Sequence, residues 1–172
     1  MKRLYDLANF ALLSLIGVVL ARSYPRLPAR VPAHFDMAGR PDRWGAKDEM
    51  IVLFVLPLIL TVALYAAVGL VARFKTGSRA LNIPHRQEFL RLSPERQEPY
   101  WALYREFFAG LAAGMNLLFY LFIKGSIDVA LGTRTGLPFK TGLPAFVVLV
   151  LLMLFYVWRL FAMPGRLIRG EF

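Results

Sequence analysis

Met50 to Ala72 is a run of 23 residues without a single charge, and it constrains this chain more than any other feature. As a helix rising about 1.5 Å per residue it would be roughly 35 Å long. That is enough to cross a bilayer core of about 30 Å with a slight tilt. Three further apolar runs, at about Leu4–Ala21, Trp101–Ile123 and Leu143–Met163, have the length of single crossings. A water-soluble chain of 172 residues would have to hide all four runs from solvent. With 58% hydrophobic residues it would expose much of them as adhesive patches. The expected fold class is therefore an all-α integral membrane protein: one membrane domain over residues 1–172, with transmembrane helices at 4–21, 50–72, 101–123 and 143–163 and a structured loop between the first two.

The details within the runs suit this reading. Met1-Lys2-Arg3 precedes the first run, and no small-residue cleavage site follows it, so the run is expected to be an uncleaved helix. Asp6 and Asn9 are placed at its headgroup end. Ser14 and Gly17 give it a small-residue face for helix packing, as Gly110 and Gly114 do in the third run. Asn116, deeper in that run, is expected to hydrogen-bond to another helix. Pro57 is expected to kink the second run. Trp101 and Tyr104 read as interfacial aromatics, as do Tyr156 and Trp158 beside Arg159. In the basic stretch Arg73–Arg105, Ser93-Pro94-Glu95 reads as a helix start. Phe89, Leu90 and Leu92 suit either a short amphipathic surface piece or, preferably, an ordinary connector. Lys124–Gly142 reads as a turn-rich loop.

Lys and Arg exceed Asp and Glu by ten. The basic residues stand between apolar runs and not along one soluble face, which points to lipid headgroups and topology rather than nucleic acid. Four crossings put both termini on one side. Twelve of the 21 Lys and Arg residues fall on that side and nine on the other. The bias places the termini in the cytoplasm of a bacterial inner (cell) membrane protein. There is no cysteine, which excludes disulfides, thiolate metal sites and a cysteine nucleophile.

The loop from residue 22 to 49 then faces outward. It holds four of the eleven prolines, one of the two histidines and four of the eleven acidic residues. Pro25, Pro28 and Pro32 favour an extended path out of the first helix, Gly39-Arg40-Pro41-Asp42 marks a turn, and the chain returns through Trp44. His34, Asp36 and Asp42, with Asp48 nearby, are the groups that could hold a metal or exchange protons. Six cations in the same loop (Arg22, Arg26, Arg30, Arg40, Arg43, Lys47) offer these carboxylates ordinary ion pairs, and structural ion pairs with turn-forming hydrogen bonds are the commoner use of such charges. No nucleophile triad, phosphate-binding loop or pair of intramembrane carboxylates is found, and no cofactor is expected.

The ordered run Leu27-Pro28-x-x-Val31-Pro32-x-His34-Phe35-Asp36-x-x-Gly39-x-Pro41-Asp42-x-Trp44-Gly45-x-Lys47 resembles the signature of the domain of unknown function 1648. The resemblance covers about residues 12–60. Asp36 stands where Asn is frequent, and the second half lacks the Asn…Gly-x-Arg…Trp pattern of the Sdp immunity domain proper. The resemblance implies a domain set between two membrane helices and related to Sdp-type immunity proteins, which protect bacteria from a secreted toxic peptide.

The leading functional expectation is a non-enzymatic protein. Its loop would bind a peptide or protein partner through His34, Phe35, Asp36, Gly39, Pro41, Asp42 and Trp44, in toxin immunity or signalling. One alternative is an accessory subunit of a larger membrane complex. The other is a metal-dependent membrane enzyme using His34, Asp36 and Asp42.

Overall fold

The computed structural model describes residues 1–73, 83–137 and 139–171. In chain order it has α1 (Lys2–Ser23), a 3-10 turn (Tyr24–Arg26), β1 (Arg30–Phe35), β2 (Pro41–Ala46), α2 (Glu49–Arg73), α3 (Arg86–Arg91), α4 (Pro94–Ala130) and α5 (Phe139–Arg169). Helices α1, α2, α4 and α5 are each long and apolar enough to cross a membrane. The chain is thus a helical, multi-pass membrane protein, and its structured loop is a β-hairpin.

Helix α4 is the axis of the bundle, and α1, α2, α5 and β1 all pack on it. Its buried face is rich in small residues, Ala109, Gly110, Ala112 and Ala113, which let neighbouring helices come close. The ring of Tyr5 lies over Gly110, where an added Cβ would stand 3.3 Å from it. At Gly114 an added Cβ would meet a methyl of Leu149 at 2.2 Å. Gly17 similarly faces Phe54. These three glycines receive large side chains from the chain's own helices, whereas Ser14 is exposed on the outside of the bundle. Most apolar side chains of α2 and α5, among them Val52, Ile59, Leu151 and Phe155, also face outward, as a lipid environment requires.

Residue contacts fix the directions. Tyr5 meets Gly110 near one end, and Leu20 clusters with Ile123 and Ile127 near the other. Helices α1 and α4 therefore run parallel, with α2 and α5 opposed to them. The hairpin and the 131–137 segment share one end, and the two termini and α3 share the other.

At 37 residues, α4 is about 55 Å long, well beyond the roughly 30 Å of a bilayer core. Its last two turns replace the first part of the loop expected from Lys124. Ile123, Ile127 and Val129 continue the buried face, and Lys124 pairs with Asp128 one turn on. The helix ends at Gly132, which takes φ +72° in the left-handed region that glycine enters without cost. Helix α5 begins at Phe139, before the expected Leu143, and takes Pro144 inside its second turn at the cost of one intrahelical hydrogen bond.

The opposite end of α4 also departs from expectation. Ser93-Pro94 does start the helix. Trp101, expected at the membrane interface, is buried with Phe89, Tyr100, Ile83 and Leu167, and donates its indole N–H to Gln97 at 3.4 Å. Phe89 turns the apolar side of α3 onto protein rather than onto lipid.

Candidate functional site

The hairpin is antiparallel, pairing Arg30 with Ala46, Val31 with Gly45, Pro32 with Trp44, His34 with Arg43 and Phe35 with Pro41. Two irregularities, after Pro32 and after His34, break the alternation of its faces. Pro32 has no N–H to give the ladder, which favours irregular pairing there. The turn comes earlier than Gly39-Arg40-Pro41-Asp42 suggested and is built by Asp36. The Asp36 Oδ1 accepts the backbone N–H groups of Ala38 at 2.9 Å and Arg40 at 2.8 Å. Gly39 follows with φ +75°. This is the side-chain-to-backbone turn that Asp makes readily.

The inner side of the hairpin holds it to the bundle. Val31 is fully buried against Leu27, Met50 and the tops of α1 and α4. Phe35 packs edge-to-face on Phe122 of α4, ring centres 5.7 Å apart. Gly39 is buried, and its carbonyl accepts the N–H of Leu137 at 2.9 Å, tying the hairpin tip to the α4–α5 connection.

The outer side carries the groups left open to solvent. His34 Nδ1 and Asp42 Oδ1 are 2.6 Å apart, with the two side chains 62% and 46% exposed. Met37 at the tip is 98% exposed and Trp44 is 42% exposed. Of the seven residues expected to form the site, His34, Asp36, Asp42 and Trp44 are exposed, and all of these but Asp36 have side chains not spent in the turn. Phe35, Asp36, Gly39 and Pro41 shape and anchor the hairpin. His34 and Asp42 meet, but the Asp36 carboxylate is occupied in the turn. No three His, Cys, Asp or Glu side chains converge as metal ligands among the described residues.

Of the ion pairs and turn-forming hydrogen bonds expected of the loop carboxylates, the turn bonds of Asp36 form, while none of the carboxylates pairs with an Arg or Lys of the loop. Asp48 accepts the hydroxyl of Tyr24, and Glu49 accepts the N–H of Ala46 at 3.2 Å. Arg30 and Arg43 reach the carbonyls of Trp44 and Ala33, at 3.4 and 3.3 Å. The ammonium of Lys47 lies 4.8 Å from the centre of the Tyr24 ring, a cation–π contact. Local backbone groups were closer and required less ordering than long arginine side chains.

A second polar region lies inside the bundle and was only partly visible from sequence. Asn116 donates to Asn9 Oδ1 at 2.8 Å and exchanges hydrogen bonds with Thr61 at 3.0 and 3.2 Å. Asn9 in turn donates to the Ala109 carbonyl and to Tyr65, and Tyr65 donates to Asp6 at 2.6 Å. Asp6 also holds Lys2. Asn9 is thus 3% exposed, not at headgroup level as expected. Next to this chain Tyr156 donates to Glu106 at 2.6 Å, which leaves its oxygen to accept from Tyr5. Tyr156, expected in an interfacial belt, is buried. Asn116 signalled the network, but its partners depend on which helices neighbour α4.

Among known proteins, the chain is similar to an uncharacterized protein of Archaeoglobus fulgidus, with 29% identity over 98 residues. The similarity covers 52% of this chain and 52% of that protein, so the match spans about half the length of the relative. No solved structure matches the chain. Residues 10–69, from α1 through the hairpin and most of α2, match the family described as domain of unknown function (DUF1648), in agreement with the resemblance read from the loop.

Proposed function

We propose that this protein is a membrane-anchored recognition protein whose hairpin binds a peptide or protein partner outside the cytoplasm. The observation that carries the reading is the division of the hairpin into a fixed side and a free side. Val31, Phe35 and Gly39 hold it against α4 and the 131–137 segment, so little ordering is left for binding. Trp44, Met37 and the His34–Asp42 pair remain open to a partner. An exposed tryptophan on a rigid support is a frequent anchor in protein interfaces. The excess of Lys and Arg on the terminal side supports an outward-facing hairpin in the cell membrane. The family resemblance makes a secreted peptide the partner class to test first, in toxin immunity or in signalling.

The test is photo-crosslinking from positions 37 and 43 in intact cells, with mass spectrometry of the adducts. One dominant adduct, lost in Trp44→Ala protein expressed at the same level and assayed from the same positions, supports the reading. A companion membrane protein captured equally in Trp44→Ala would favour an accessory subunit instead. No adduct from either position would overturn the proposal.

A further inference from the structure

Beneath the hairpin tip, α4 and α5 splay apart around an apolar cavity of about 290 Å³. Leu118, Leu121 and Phe122 of α4, Leu143 and Phe146 of α5, and Leu137 line it. An added Cβ at Gly142, also in the wall, would meet nothing within 4 Å. The volume lies at the lower edge of ordinary small-molecule sites, about 300–1,000 Å³, and suits a stretch of hydrocarbon chain.

Two cations, Arg40 and Lys140, belong to segments that adjoin the wall of this cavity. The backbone of Arg40 lies against Gly136, where an added Cβ would stand 3.8 Å from the Arg40 nitrogen, and Gly136 adjoins the wall residue Leu137. Lys140 precedes Gly142 by two positions at the start of α5. Both side chains are exposed, and neither pairs with a carboxylate among the described residues. The carboxylates at this end are engaged elsewhere: Asp128 is shared by Lys124 and Arg134, Asp36 caps the turn, Asp42 meets His34, Asp48 accepts from Tyr24 and Glu49 from the Ala46 N–H. Nine Lys and Arg residues at this end therefore stand with five carboxylates.

We infer that this cleft binds one anionic phospholipid, with its phosphate between Arg40 and Lys140 and part of an acyl chain in the cavity. The inference is independent of the hairpin's partner. Packing against the cavity wall holds a chain of either lipid equally, so the cavity contributes retention and no preference. Preference comes from the head: a guanidinium matches two phosphate oxygens, and each cation near a bilayer surface favours anionic lipid by about fivefold.

The test is native mass spectrometry of delipidated protein in mild detergent, given equal amounts of phosphatidylglycerol and phosphatidylcholine with identical chains. The wild type is expected to retain one phosphatidylglycerol with roughly 25-fold preference. Arg40→Gln/Lys140→Gln should lose the preference, and Arg40→Lys/Lys140→Arg should keep it. Gly142→Leu, filling open space, should lower retention of both lipids with an unchanged helical circular-dichroism spectrum. Equal retention of the two lipids by the wild type, or an undiminished preference in the double Gln variant, would overturn the inference. Unaltered retention in Gly142→Leu would remove the cavity from it.

Discussion

The hairpin surface and the polar chain inside the bundle use similar side chains under opposite rules. Around Asn9 and Asn116 each amide hydrogen has a partner, and three helices are joined by one continuous set of bonds. A group left over there would face hydrocarbon, where an unmade hydrogen bond is costly. On the hairpin, His34 and Asp42 touch one another and otherwise face water, so either can change partner at little cost. Saturation marks the inner set as a device for holding helices together. Open valence marks the outer set as available for recognition.

Four substitutions would break or sharpen this contrast. Asn116→Ala should be the most damaging, because it strands the Asn9 carbonyl and Thr61 inside the bundle. The expected loss is about 1–3 kcal/mol, read as a fall in thermal midpoint in detergent. A cost near 0.6 kcal/mol, as in many membrane hydrogen bonds, would mean that the neighbours re-pair. Gly136→Val comes next, since its Cβ would meet the Gly39 carbonyl at 2.6 Å and backbone cannot swing aside. Faster amide hydrogen exchange is predicted at Leu137 and in the hairpin tip, with α1 and α2 unaffected. Phe35→Ala removes the edge-to-face pair with Phe122, worth about 0.5–1.5 kcal/mol beyond the area it buries. Limited proteolysis should then cut the hairpin before any helix. Asp42→Asn should shift the midpoint least, by well under 1 kcal/mol, since its pair is solvent-exposed. It should nevertheless weaken crosslinking to the hairpin's partner. Loss of stability with intact crosslinking would reverse the assignment of roles.

The same contrast explains what could be read from sequence. The spanning helices were legible because apolar length is a local property, as was the Ser93-Pro94 start of α4. The out-turn-return path of the loop was also legible from its prolines and glycine. Its strand pairing was not, because Pro32 and the two irregularities obscure any alternation. Lys124-Gly125-Ser126 looked like the start of a loop, yet Gly125 and Ser126 are buried in α4, where their small size suits close packing. Asn9 was misplaced for a related reason. Its position near the start of a run suggested headgroups, and only the neighbouring Ala109 and Asn116 draw it inward. For the loop carboxylates, charge count favoured arginine partners, while the nearest available groups were backbone N–H and Tyr24.

The central position of α4 also has a consequence in time. The segment matching the family ends at residue 69, before α4 has been made, and α1 and α2 touch each other far less than each touches α4. At about 5–20 residues per second, a ribosome needs roughly 3–11 s to go from the end of α2 to the end of α4. During that interval Asn9 and Thr61 lie in or beside the membrane without the amide that later joins them. Newly inserted α1 and α2 would then be substrates for whatever shelters polar membrane helices, and chains stalled before Asn116 should be the first that quality-control proteases remove.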